Sequence, residues 1–188
     1  MADKLFNPTM HTDDGLVVKN VARAEAIDTS LEMRVQPVLY SWECSRILRR
    51  DFSIMTTKMY MALSSRKDWR KEQIQSLLFD LKLASENFVV TCKPYKATRP
   101  VPDEELRRLP SMRILSREAL MLYKCFTAVD EGMMRLSCAM VDGKMNREQR
   151  RDIFRKFEVH YSDLKTLIMH NRENSKTSEQ LASELRLE

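Results

Sequence analysis

The chain has 188 residues and a mass of 22.2 kDa, enough for one domain with a substantial core and a smaller module at one end. Hydrophobic residues make up 43% and charged residues 31%, a globular balance, yet only three glycines occur where average usage gives about thirteen. That scarcity excludes the glycine clusters of a Rossmann crossover or a phosphate loop and argues against a turn-rich barrel or sandwich, so the expected fold class is mainly α. The net charge of +5 is concentrated: between Arg46 and Lys71 eight basic residues face only Asp51 and Asp68, which leaves +6 there and −1 elsewhere. Such a focus suits a polyanion, although a solvated helical face accounts for it equally well.

Residues 1–28 are mixed and polar, with Pro8, Asp13, Asp14 and Gly15, and read as an N-terminal arm. From Ile27 to Val35 apolar and polar residues alternate, and a period of two predicts a strand with one buried face. Pro37 then opens a helix to about residue 50, because proline loses nothing in a first turn. Asp51 or Ser53 caps the next helix, in which Ile54, Met55, Met59, Tyr60 and Leu63 recur at helical spacing. A further helix runs from Asp68 to about Cys92, so residues 29–93 form one region. Residues 94–113 hold four of the six prolines and read as a connection.

Residues 114–172 predict an antiparallel helical hairpin. Ser116 opens its first helix, Asp142 and Gly143 close it, and Asn146 with Gln149 forms a capping box for the second. Ile153, Phe154, Phe157, Tyr161, Leu164 and Ile168 face inward. Residues 173–188 form a polar tail. The methionines at core positions, notably Met55, Met59, Met133 and Met140, read as filling.

No catalytic constellation is legible. His160 and His170 lie ten positions apart, the cysteines Cys44, Cys92, Cys125 and Cys138 include no C-x-x-C pair, and no nucleophile elbow or zinc motif occurs. The expectation is therefore no enzyme, no metal and no cofactor. With neither a signal-peptide run nor a membrane-length apolar window, the sequence predicts a cytoplasmic protein without membrane partners.

The strand and two helices of residues 30–64 resemble a ribbon-helix-helix module, carried by S-L-E-M-R-V-Q-P, V-L-Y-S-W-E-C-S-R-I-L-R-R and D-F-S-I-M-T-T-K-M-Y-M-A-L. In that family two chains pair their strands and the ribbon enters the major groove of double-stranded DNA. The resemblance implies a homodimer with Leu31, Met33 and Val35 in its core and base contacts from Ser30, Glu32 and Arg34. It places phosphate contacts at Ser53 and Thr56 at the start of the second helix. Lys19, Arg23, Arg46, Arg49, Arg50, Lys58, Arg66 and Lys67 are further candidate phosphate contacts, on charge. Gln36 before Pro37 and the missing glycine between Arg50 and Phe52 depart from the family pattern.

A second resemblance covers most of residues 20–172. A-R-A-E-A-I-D-T-S-L-E-M-R, L-R-R-D-F-S and the C-terminal M-H-N-R-E are similar to the AcaB-like regulators of conjugative plasmids and integrating conjugative elements. It implies a DNA-binding transcriptional activator of transfer genes, with the hairpin free to meet RNA polymerase or another regulator. Two other readings stay open from the residues: a helical docking protein, and an RNA-binding protein with Trp69 beside the basic run.

Overall fold

The computed structural model describes residues 10–11, 17–29, 33–66, 68–99 and 101–169. In chain order these form β1 (Met10–His11), β2 (Val17–Val18), α1 (Val21–Glu25), β3 (Met33–Val35), β4 (Val38–Leu39) and α2 (Trp42–Ile47). A π-turn (Leu48–Phe52), α3 (Ser53–Ser64) and α4 (Lys71–Cys92) follow. After a 3₁₀ turn (Asp103–Glu105) come β5 (Arg107–Arg108), β6 (Met112–Ile114), α5 (Arg117–Val141) and α6 (Arg147–Met169). The protein is mainly helical, as its composition implies, with three two-stranded antiparallel pairs among the described residues: β1–β2, β3–β6 and β4–β5.

The long helices build the core. α4 packs along both α5 and α6, and Phe88, Phe126, Phe154, Phe157 and Tyr161 meet in edge-on and tilted pairs with centroids 5.3–6.5 Å apart. Gly132 lets α5 approach α4: a Cβ there would stand 2.6 Å from Phe88 Cε1. The caps read from the sequence are present. Ser116 Oγ accepts from Ala119 N, and Asn146 and Gln149 exchange side-chain-to-backbone bonds of 2.8 and 2.9 Å. Gly143, at φ +70°, turns the chain from α5 into α6.

Several expectations need correction. The turn between the two helices of residues 37–64 does not exist: helix is continuous from Trp42 to Ser64, and the π-turn takes up one extra residue within it. No glycine or proline interrupts this stretch, so nothing in it ends the helix. The N-cap is Ser41, whose Oγ accepts from Cys44 N, while Pro37 lies between β3 and β4. Asp51 and Ser53, expected as caps, are buried inside the helix.

The strand at residues 33–35, expected to pair across a dimer, pairs within the chain, with Met33 opposite Ile114, Arg34 opposite Arg113 and Val35 opposite Met112. Its partner comes from the proline-rich stretch read as a plain connection. Proline density there forbids a long helix but leaves room for two- and three-residue strands on either side of Pro110. Met112 and Ile114 are buried, so the sheet turns its apolar face to the core. Finally, the end of the supposed arm belongs to the core: Val18, Val21 and Ala24 are buried, and Lys19 N donates to Arg49 O at 3.0 Å.

Candidate nucleic-acid interface

The helix from Trp42 to Phe52 carries Trp42, Arg46, Arg49 and Arg50 toward solvent, one turn and two turns apart. Its start is fixed from below. Asp130 of α5, 2% exposed, accepts from Tyr40 N (2.7 Å), Ser41 N (2.8 Å) and Ser41 Oγ (2.5 Å). Burial pushes the Asp130 carboxyl above its ordinary range, and these three donors offset only part of the shift.

Tryptophan, like its apolar neighbours Val38, Leu39, Ile47 and Leu48, ordinarily turns toward the core. Leu39, Ile47 and Leu48 do so, but Trp42 is 48% exposed. The guanidinium of Arg49 stands 5.5 Å and that of Arg107 5.1 Å from its ring centroid. β5 delivers Arg107, which is paired opposite Leu39. Each such contact at an exposed site contributes about 0.5–1 kcal/mol. The result is a half-exposed indole with two cations against it, and Arg107 Nε is buried without a hydrogen-bond partner.

Beside this platform, α6 and the π-turn enclose a groove of about 320 Å³ lined by Arg46, Arg50, Arg155, Glu158, Tyr161 and Lys165 among others. Asp51 sits beneath it with its side chain 7% exposed. Its Oδ2 accepts from Tyr161 OH and Lys165 Nζ, each at 2.7 Å, and its Oδ1 accepts from Arg50 Nε at 3.1 Å. Burial alone would raise this carboxyl, but the bonds from Arg50, Lys165 and Tyr161 prevail and hold it below its ordinary range. Burial and the Asp51 carboxylate push the Tyr161 phenol far up. Next along α2, Glu43 accepts from Arg150 of α6 at 2.6 and 3.3 Å, which outweighs burial and lowers its pKa.

The candidate contacts from the sequence fall in several places. Arg46, Arg49 and Arg50 share the face just described, and exposed Lys19 adjoins it through its backbone bond to Arg49. Arg23 and Lys58 instead line a second cavity of about 480 Å³, with Ile27, Ile54, Met61 and Arg70. Lys58 donates to Met169 O at 3.2 Å and Arg70 to Ile168 O at 3.5 Å, so these two cations serve the C-terminal carbonyls of α6. Arg66 is exposed at the end of α3.

Ser53 and Thr56 are not phosphate contacts. They are 5% and 0% exposed, their amides lie inside a continuous helix, and Thr56 Oγ1 donates to Phe52 O at 2.9 Å. Ser30, Leu31, Glu32 and Lys67 lie outside the described residues. Arg34 is exposed but forked onto Glu25, at 2.9 and 2.7 Å. Opposite it, Arg113 donates to the carbonyls of Ala24, Glu25 and Ile27 at the end of α1. Of the expected dimer core, Met33 is 40% exposed and Val35 packs partly buried on the chain's own core.

Four residues of the face escaped the sequence reading: Trp42, Arg107, Arg155 and Lys165. The last two sit on the polar side of an amphipathic helix whose other side carries Phe154, Phe157 and Tyr161, and that was the signal available. All four cysteines are free and buried, with Cys92 pushed up to about 11 by burial. No group of metal-holding side chains occurs among the described residues, and no helix among them is long and apolar enough to cross a membrane. No family model matches the chain, and no curated protein or solved structure matches it either.

Proposed function

We propose that the protein is a DNA-binding transcriptional regulator that grips duplex phosphates with the face built by α2, the π-turn, β5 and α6. The observation that carries this reading is one cationic face drawn from the Trp42–Ser64 helix, β5 and α6: Arg49 and Arg107 lie against half-exposed Trp42, and Arg46, Arg50, Arg155 and Lys165 line the neighbouring groove. Cations brought together from distant parts of the sequence concentrate potential where a polyanion would lie. The likeness of the sequence to the AcaB-like regulators adds the genetic role, activation of conjugative transfer genes. Base readout falls to the β3–β6 ribbon, where Arg34 exchanges its exposed pair with Glu25 for a base edge. A homodimer through β3 uses the edge of that strand that β6 leaves open, giving a continuous sheet across two chains.

Trp42 favours a second reading, binding of single-stranded RNA, because a stacking ring beside arginines is what unpaired bases use. Fluorescence anisotropy with labelled duplex DNA and single-stranded RNA, each over a salt series, separates the two. The DNA reading expects tighter duplex binding and a steep salt slope, shallower by about one in Arg49→Ala. Preference for the single strand transfers the assignment to RNA. Binding of neither leaves the helical docking reading.

A further inference from the structure

We propose that the groove between the π-turn and α6 is a built anchoring site for one phosphate group, with Asp51 as the residue that positions its cations. The proposal deepens the nucleic-acid reading and depends on it only for where the phosphate comes from. Arg46 and Arg50 approach from the α2 side, Arg155 and Lys165 from α6, around a volume of about 320 Å³, at the small end of ligand pockets. Asp51 holds two of these four in place: it forks onto Arg50 (3.1 and 3.3 Å) and accepts from Lys165 (2.7 Å), while Tyr161 fixes the carboxylate itself. Arg46 and Arg155 are ion-paired to no described residue, so their forks stand ready for an anion.

Four cations face Asp51 and Glu158, which leaves a local excess of positive charge in a walled groove. Guanidinium forks match pairs of phosphate oxygens, and the ammonium of Lys165 adds a point charge. The π-turn accounts for the arrangement. Its wider turn buries Leu48, Asp51 and Phe52 together, which places a carboxylate under the groove while Arg49 and Arg50 stay at the surface. The group held is a phosphate ester, either of a duplex strand or at the end of a small molecule.

The test is titration of the full chain with inorganic phosphate at constant ionic strength, read on arginine Nε–Hε signals by NMR. The site predicts saturable shifts confined to Arg46, Arg50 and Arg155, and binding at least tenfold weaker in Arg155→Ala. Lys93→Ala, which removes an equal charge from the end of α4, leaves the titration unchanged. Linear shifts spread over the exposed arginines, or undiminished binding in Arg155→Ala, would overturn the site. Asp51→Asn raises the net charge by one, so a general field effect tightens phosphate binding. Loss of positioning weakens it several-fold, and tightening would refute the role of Asp51. Should that variant not fold, Arg46→Ala and Arg155→Ala, both exposed, decide the matter. Parallel titrations with a 5′-nucleoside monophosphate and with duplex DNA distinguish the sources. Saturation by phosphate and monophosphate without duplex binding keeps the site and removes the DNA reading. Duplex binding with no phosphate response in the groove does the reverse.

Discussion

Replacing Asp51 tests whether the buried network under the groove is organised as described. Asp51→Ala leaves the Tyr161 hydroxyl, on a side chain 5% exposed, without its acceptor, and unties Lys165 and Arg50. A hydrogen bond to a charged group contributes about 1.5–3 kcal/mol, and an orphaned buried donor forfeits that amount. Lys165 and Arg50 have side chains 28% and 49% exposed and turn to solvent, so each pair adds at most about 1 kcal/mol. The expected loss is about 3 kcal/mol, or about 6–12 °C in Tm for a chain of this size. Tyr161→Phe removes the donor instead, and the double variant should cost about 1–2 kcal/mol less than the sum of the two single changes.

The pH dependence has a definite sign. The folded pKa of Asp51 is depressed below its ordinary 3.8, so its contribution is fully present above the unfolded value and is lost as pH falls through the folded one. Urea titrations of wild type, Asp51→Asn and Asp51→Ala at several pH values measure this. Strict additivity with Tyr161→Phe, or a stability gap to Asp51→Asn that persists unchanged under strongly acid conditions, would refute the network.

Other perturbations test separate parts of the structure. Gly132→Ala gains about 1 kcal/mol of helix propensity but drives a methyl against the Phe88 ring, itself hemmed by Phe154 and Phe157; overpacking of about 3 kcal/mol leaves a net loss of about 2. Phe88→Leu should recover part of that loss, and a raised Tm in Gly132→Ala alone would contradict the close helix approach. Asn146→Ala removes one half of the capping box on α6 and should cost about 1 kcal/mol by chemical denaturation, with no change as the opposing result. Carboxyl NMR titrations should find Asp130 above and Asp51 below the ordinary 3.8, and the opposite order would contradict the packing given for both. Because the Asp130 pKa is raised, its contribution to stability grows as pH falls through its folded value, the reverse of Asp51.

The long helices were legible because their periodic apolar faces and end signals agree: Ser116, Asn146 with Gln149, and Gly143 stand where the structure uses them. The Trp42–Ser64 helix was read as two because Asp51 and Ser53 look like caps. A polar residue marks a helix start only when the chain turns there, and here tertiary partners bury both instead. The partner of β3 lies about 80 positions along the chain, among prolines, in strands too short to show a period. The interface depends on the same long-range assembly. Arg46, Arg49 and Arg50 are a visible run, but only the β4–β5 pairing brings Arg107 to Trp42, and only the packing of α6 brings Arg155 and Lys165 to the groove.

The most direct measurement is the salt dependence of duplex DNA binding by wild type, the Arg49→Ala/Arg155→Ala double variant and Lys93→Ala. A phosphate-gripping face predicts a linear fall of log affinity with log salt in the wild type. The double variant should have weaker binding and a slope shallower by about two, and Lys93→Ala should superimpose on wild type. An identical slope in all three proteins, or no duplex binding at low salt, would contradict the assignment of this face to DNA.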